Sequence, residues 1–78
     1  MILVLTACNG KDSLSKDAEA AINGECNDFY FSIKGNQNSK GEWIYHMKGQ
    51  RYYTKTFAEE CFAYETTAQA AGYRKAKV

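Results

Sequence analysis

The sequence predicts a small α+β domain: a curled antiparallel β-sheet of three to four short strands with one short C-terminal helix, preceded by a helical or disordered linker. Three observations carry that expectation. Between residues 29 and 57, aromatic and β-branched runs alternate with turns rich in glycine and asparagine. A run of helix formers, ETTAQAA over residues 65–71, ends at Gly72. The stretch 9–25 is polar or alanine-rich and offers little apolar surface. At 78 residues the chain holds one domain at most, and so small a core often needs a staple. Its hydrophobic content of 45%, without a low-complexity run, is that of a chain that folds.

The first element is MILVLTAC. Residues 1–5 are apolar and lead through Thr6 and small Ala7 to Cys8. LTAC resembles a bacterial lipobox, with Leu5 three positions before the cysteine. That resemblance implies lipidation of the Cys8 thiol and loss of the peptide before it. Residues 1–7 then read as the remnant of a lipoprotein signal and residues 8–25 as a tether. The competing reading is a buried N-terminal strand ending in a buried cysteine. The apolar run is far shorter than the ~20 residues a bilayer-spanning helix needs. Within the tether, Ser13 can cap a short helix. Leu14, Ala18, Ala21 and Ile22 fall on one helical stripe, and Gly24 is a natural stop.

From Asn27 onward the pattern becomes extended. FYFSIK (29–34) is a first strand, GNQNSKGE (35–42) has turn chemistry, and WIYHM (43–47) is a second strand. KGQ (48–50) is a second turn, and RYYTKTF (51–57) a third extended segment. CFA (61–63) is short and extended. The helix over 65–71 closes with Gly72 at C′, and YRKAK (73–77) is a last extended piece. Three cysteines are present; with Cys8 lipidated, Cys26 and Cys61 remain as an even pair in an exported protein, which suggests a disulfide. Two free buried cysteines are the alternative.

The segments IKGNQNSKGEWIYHMKGQRYY, CF and AQAAGYRKAK resemble the small bacterial sunset domain over about residues 26–77. The residues that match are Lys34, Gly35, Asn36, Tyr45, His46, Tyr52, Tyr53, Gly72, Tyr73 and Arg74. The resemblance implies a C-terminal domain of secreted proteins and lipoproteins, one also found beside thermonuclease-like domains, over residues 26–78. It implies no activity. Two departures stand out: Cys26 lies farther from Ile33 than in that pattern, and Lys48–Gly49 occupies its Pro-Gly turn. A fainter likeness joins the chain to the zinc domain of Ada-type repair proteins. Its four ligand positions would fall at His46, Gln50, Ala76 and just past Val78, so only one could bind metal and no metal or cofactor is expected.

Charge and side-chain chemistry limit the function. The net charge is +1, with a balance of −2 over residues 1–26 and +3 over residues 27–78. That basic bias is weaker than a dedicated nucleic-acid binder carries. His46 is the only histidine and lies on a strand, where a structural role is the ordinary one. Glu59 and Glu60 are adjacent and would point apart, unlike a glycosidase pair. The glycine-rich turn at 35–41 lacks a following helix and a Gly-Lys-Ser/Thr ending, so it is no P-loop. Asn36 and Asn38 suit turn stabilisation. The functional signal is the interleaving of rings and cations, a wider pattern that includes Lys48: within it Lys34, His46, Arg51, Tyr52, Tyr53, Tyr73 and Arg74 form the candidate binding surface. The alternative is that the tyrosines build the core.

These readings give no catalytic residue and no enzyme. The expected protein is a monomeric lipoprotein, exported and held on a bacterial membrane through Cys8. Its domain would bind an anionic polymer, either nucleic acid or envelope polysaccharide. Alternatively it would be a structural module that docks on an envelope protein.

Overall fold

A computed structural model describes residues 17–78. Cys8, the proposed signal remnant and residues 8–16 of the tether lie outside the described residues. The strands are β1 (Ala18–Ala20), β2 (Ile33–Gln37), β3 (Trp43–His46), β4 (Glu60–Phe62) and β5 (Arg74–Lys75), and helix α1 (Glu65–Ala70) precedes β5. They form one five-stranded sheet in the order β1-β4-β2-β3-β5. β2 is central and antiparallel to both β3 and β4, β1 is antiparallel to β4, and β5 runs parallel to β3. The sheet is therefore mixed and has five strands, in place of the antiparallel sheet of three to four strands expected from the sequence. The parallel pair arises because α1 carries the chain back across the sheet before β5.

Ala18–Ala20 is a strand, where the alanine stripe predicted a helix. Asp17 C=O accepts the Ala63 N–H at 2.9 Å and Ala21 N–H donates to Glu59 C=O at 3.1 Å, which seats the segment on the free edge of β4. Tertiary pairing outweighs the modest helix preference of alanine. The Gly24 stop is instead half of a hairpin turn. Asn23 and Gly24 both have positive φ, 53° and 80°. Ile22 and Glu25 exchange both backbone hydrogen bonds around them, at 3.2 and 3.0 Å.

β2 begins later than expected and consumes residues 35–37 of the predicted turn. Residues 29–32 are not a strand, because Asp28 Oδ1 accepts the Tyr30 N–H at 2.7 Å and bends the chain. The β2–β3 hairpin closes on Asn38, whose Oδ1 accepts the N–H groups of Lys40 and Glu42, both at 2.9 Å. Residues 51–57 are also not extended. Successive turns fold them, with Tyr53 N–H donating to Gln50 C=O, Lys55 to Tyr52 and Thr56 to Tyr53, at 3.1–3.2 Å. The helix ends as predicted. Gly72, at φ 97°, lets its N–H reach Gln69 C=O at 3.0 Å and the Tyr73 N–H reach Ala68 C=O at 3.1 Å.

The sheet buries residues on both faces. On one side lie Ala18, Ile33, Tyr45 and Phe62, covered by Ala68 and Ala71 of the helix region and by Tyr73. Gly35 sits on this face with the rings of Phe62 and Tyr73 against it. On the other side Cys26, Ala58 and Cys61 form a smaller cluster with Ala21 and Phe31. Cys26 and Cys61 stand at disulfide distance, with sulfurs 2.09 Å and Cα atoms 5.5 Å apart.

Candidate binding surface

The connection from β3 to β4 carries a run of cations without an acid. Residues 43–58 contain Lys48, Arg51, Lys55 and His46 and no aspartate or glutamate. Lys48, Arg51, Tyr52 and Lys55 are exposed. The Arg51 guanidinium stands 5.9 Å from the Tyr52 ring centroid, so a cation and an open ring are offered side by side.

Side chains that point inward hold this connection in place. Gln50 closes the turn after β3 and ties it to the C-terminal residues: its Oε1 accepts the Met47 N–H at 2.8 Å and its Nε2 donates to Ala76 C=O at 3.0 Å. The Tyr53 hydroxyl donates to Ser32 C=O at 2.6 Å. Burial, then the charge of Glu25, pushes that phenol above its ordinary value. Lys34 is only 2% exposed. Its Nζ donates to Tyr53 C=O at 3.0 Å and to Thr56 C=O at 3.1 Å, pairs with Glu25 Oε1 at 3.2 Å, and lies 4.7 Å from the Tyr53 ring centroid.

The seven residues singled out from the sequence therefore separate into groups. Arg51 and Tyr52 are displayed. Lys34 is buried, and Tyr53 is half-buried beneath the connection that displays them. Tyr73 is a core residue, as the competing reading of the tyrosines had it. Its hydroxyl donates to the buried Glu60 Oε1 at 2.6 Å, and burial followed by that bond pushes the phenol far above its ordinary range. Arg74 is exposed but committed, donating to Glu42 Oε1 and to Lys75 C=O, both at 3.1 Å. The Glu42 carboxyl is held below the usual range by the bond from Asn38 and then by Arg74. His46 is half-buried opposite Lys34 across the strand pair. Its Nδ1 is buried without a hydrogen-bond partner.

Lys55 was absent from the sequence-derived set, and Lys48 was only part of the wider pattern. The signal that would have found both is the acid-free run 43–58. Among the described residues, no group of three or more His, Cys, Asp or Glu side chains could hold a metal ion. No helix among them is long and apolar enough to cross a membrane.

The family model that matches is ArfC, over residues 11–75. The chain belongs to the ArfC family. The ArfC match overturns the resemblance to the sunset domain, and the fainter Ada likeness goes with it. The motifs behind that resemblance do packing and turn work here: Gly35 lies under two rings, Gly72 ends the helix, and Tyr73 fills the core. Such motifs report a small sheet with a helix on it more than they report a family. The ArfC match begins ahead of β1 and ends at the last residue of β5, so it takes in the whole described sheet. No curated protein and no solved structure matches the chain.

Proposed function

We propose that this protein is an exported lipoprotein, anchored through Cys8, whose small domain is a non-catalytic binding module for an anionic polymer. The observation that carries the reading is the β3–β4 connection, on which Lys48, Arg51, Tyr52 and Lys55 are exposed in a run without an acidic residue. Cations meet phosphate or carboxylate there, and Tyr52 offers a ring for a base or a sugar. Disulfide-bonding distance between Cys26 and Cys61 supports an oxidising compartment.

The test is a titration of the full chain carrying Cys8→Ser against single-stranded DNA and an acidic polysaccharide at two salt concentrations. Binding should weaken as salt rises. The double variant Arg51→Ala with Lys55→Ala should flatten the log–log salt slope for DNA by roughly 1.4, about 0.7 per lost phosphate contact. Absence of binding to either polymer at low salt overturns the reading.

A second reading has its own observation. Phe29 is 89% exposed and stands beside Tyr30, whose ring packs edge-on against Phe31 and Tyr64, and Tyr64 is itself exposed. That ring cluster suits docking on an envelope protein. Phe29→Ala would weaken such docking and leave polymer binding unchanged.

A further inference from the structure

We infer that Lys34 is a positioning residue: it sets the conformation of the β3–β4 connection from inside and does not touch the ligand. Three oxygen acceptors surround its ammonium, namely Tyr53 C=O at 3.0 Å, Thr56 C=O at 3.1 Å and Glu25 Oε1 at 3.2 Å. An ammonium has three protons to donate, so its capacity is filled. At 2% exposure no polymer reaches it. A buried lysine is costly unless paired and hydrogen-bonded, and this one satisfies both conditions by gathering the backbone of the connection around itself.

The consequence is geometric. Drawing the carbonyls of residues 53 and 56 inward onto one cation folds residues 53–56 into a tight turn, and Thr54 and Lys55 are left exposed. Tyr53, whose ring lies under the cation, is pinned separately at Ser32. The preceding residues Arg51 and Tyr52 then face solvent from a fixed turn. A connection ordered before binding loses less conformational freedom when a ligand arrives. The basic residue most deeply buried thus serves the exposed ones without joining them.

The ligand half of this inference rests on the polymer-binding reading above, and the experiment separates the two. Lys34→Met and, as a milder change that keeps a polar donor, Lys34→Gln are made in the full chain carrying Cys8→Ser. Amide hydrogen exchange is followed residue by residue, and binding to an oligothymidylate is measured across a salt series. Both variants should speed exchange at the Tyr53, Lys55 and Thr56 amides and leave the β2–β3 amides unchanged. Lys34→Met should weaken oligothymidylate binding about tenfold with the salt slope preserved, because no phosphate contact is lost. A slope shallower by about 0.7 would make Lys34 a ligand contact and overturn the inference. Unchanged exchange in the connection would overturn it too, read from Lys34→Gln if Lys34→Met does not fold. Should the parent chain bind no oligothymidylate while exchange still rises in the variants, the polymer reading fails and the role of Lys34 in shaping the connection stands.

Discussion

His46 shows how one neighbour decides the chemistry of a side chain. Burial, and then the positive charge of Lys34 across the strand pair, hold its imidazole below the ordinary value. An unfolded chain takes the proton first as pH falls, from about 6.5 downward. The contribution is therefore full above that pH and is lost as pH drops through the lower folded value. Since His46 is the only histidine, urea titrations between roughly pH 6.5 and 5 should show stability falling with pH, and His46→Gln should remove most of that slope. The same neighbour makes protonation of the ring costly, because an imidazolium there would face a cation. Lys34 and Arg74 make the complementary point: two cations of similar promise in the sequence are spent on internal partners, one buried and one at the surface.

At the scale of elements, the central strand is built around the absence of a side chain. A Cβ at Gly35 would lie 2.8 Å from a ring carbon of Phe62 and 2.8 Å from one of Tyr73, closer than such contacts occur. Both rings belong to the buried cluster that fixes α1 against the sheet. Gly35→Ala should therefore destabilise by about 1–3 kcal/mol through overpacking, even though glycine within a strand is ordinarily unfavourable. Thermal or chemical unfolding would measure it, and a neutral result would mean that the two rings shift freely. The β3–β4 connection is the opposite kind of element: its backbone is tied inward through Lys34, Gln50 and Tyr53, and Lys48, Arg51, Tyr52, Thr54, Lys55 and Phe57 are left to the solvent.

At the scale of the whole molecule, the described residues form two thin layers of core, one on each face of a five-stranded sheet. Neither is large, and the second depends on Cys26 and Cys61, which tie the segment after the 22–25 turn to β4. Glu25, adjacent to Cys26, is also the carboxylate that meets Lys34. The cysteine pair thus secures the sheet and one partner of the internal cation together. Replacing both cysteines by serine should cost roughly 3–4 kcal/mol in the chain-entropy picture for a loop of this length. Denaturant titration of the double variant tests it, and a loss under about 1 kcal/mol would show that the pair contributes little beyond packing.

The sequence alone determined the features governed by local chemistry. β3, β4, α1 with its stop at Gly72, and the extended piece at β5 are legible as period, turn residues and helix formers. The pairing of Cys26 with Cys61 is suggested by counting only once the lipobox resemblance sets Cys8 aside, and Arg51 and Tyr52 stand out as a ring beside a cation. Asn23–Gly24 was legible as a hairpin signal as well, but beside an alanine stripe it read as the end of a helix. Only the tertiary structure decided the rest. An open edge on β4 made Ala18–Ala20 a strand, and the return of the chain through α1 set β5 parallel to β3. Burial divided the candidate surface, sending Tyr73 to the core and Lys34 beneath the connection while leaving Arg51 and Tyr52 outside. The physical reason is common to all of these. Propensity and spacing act over a few residues, whereas strand pairing and burial depend on partners far away in the chain: Lys34 meets carbonyls 19 and 22 residues ahead of it, and no local pattern carries that distance.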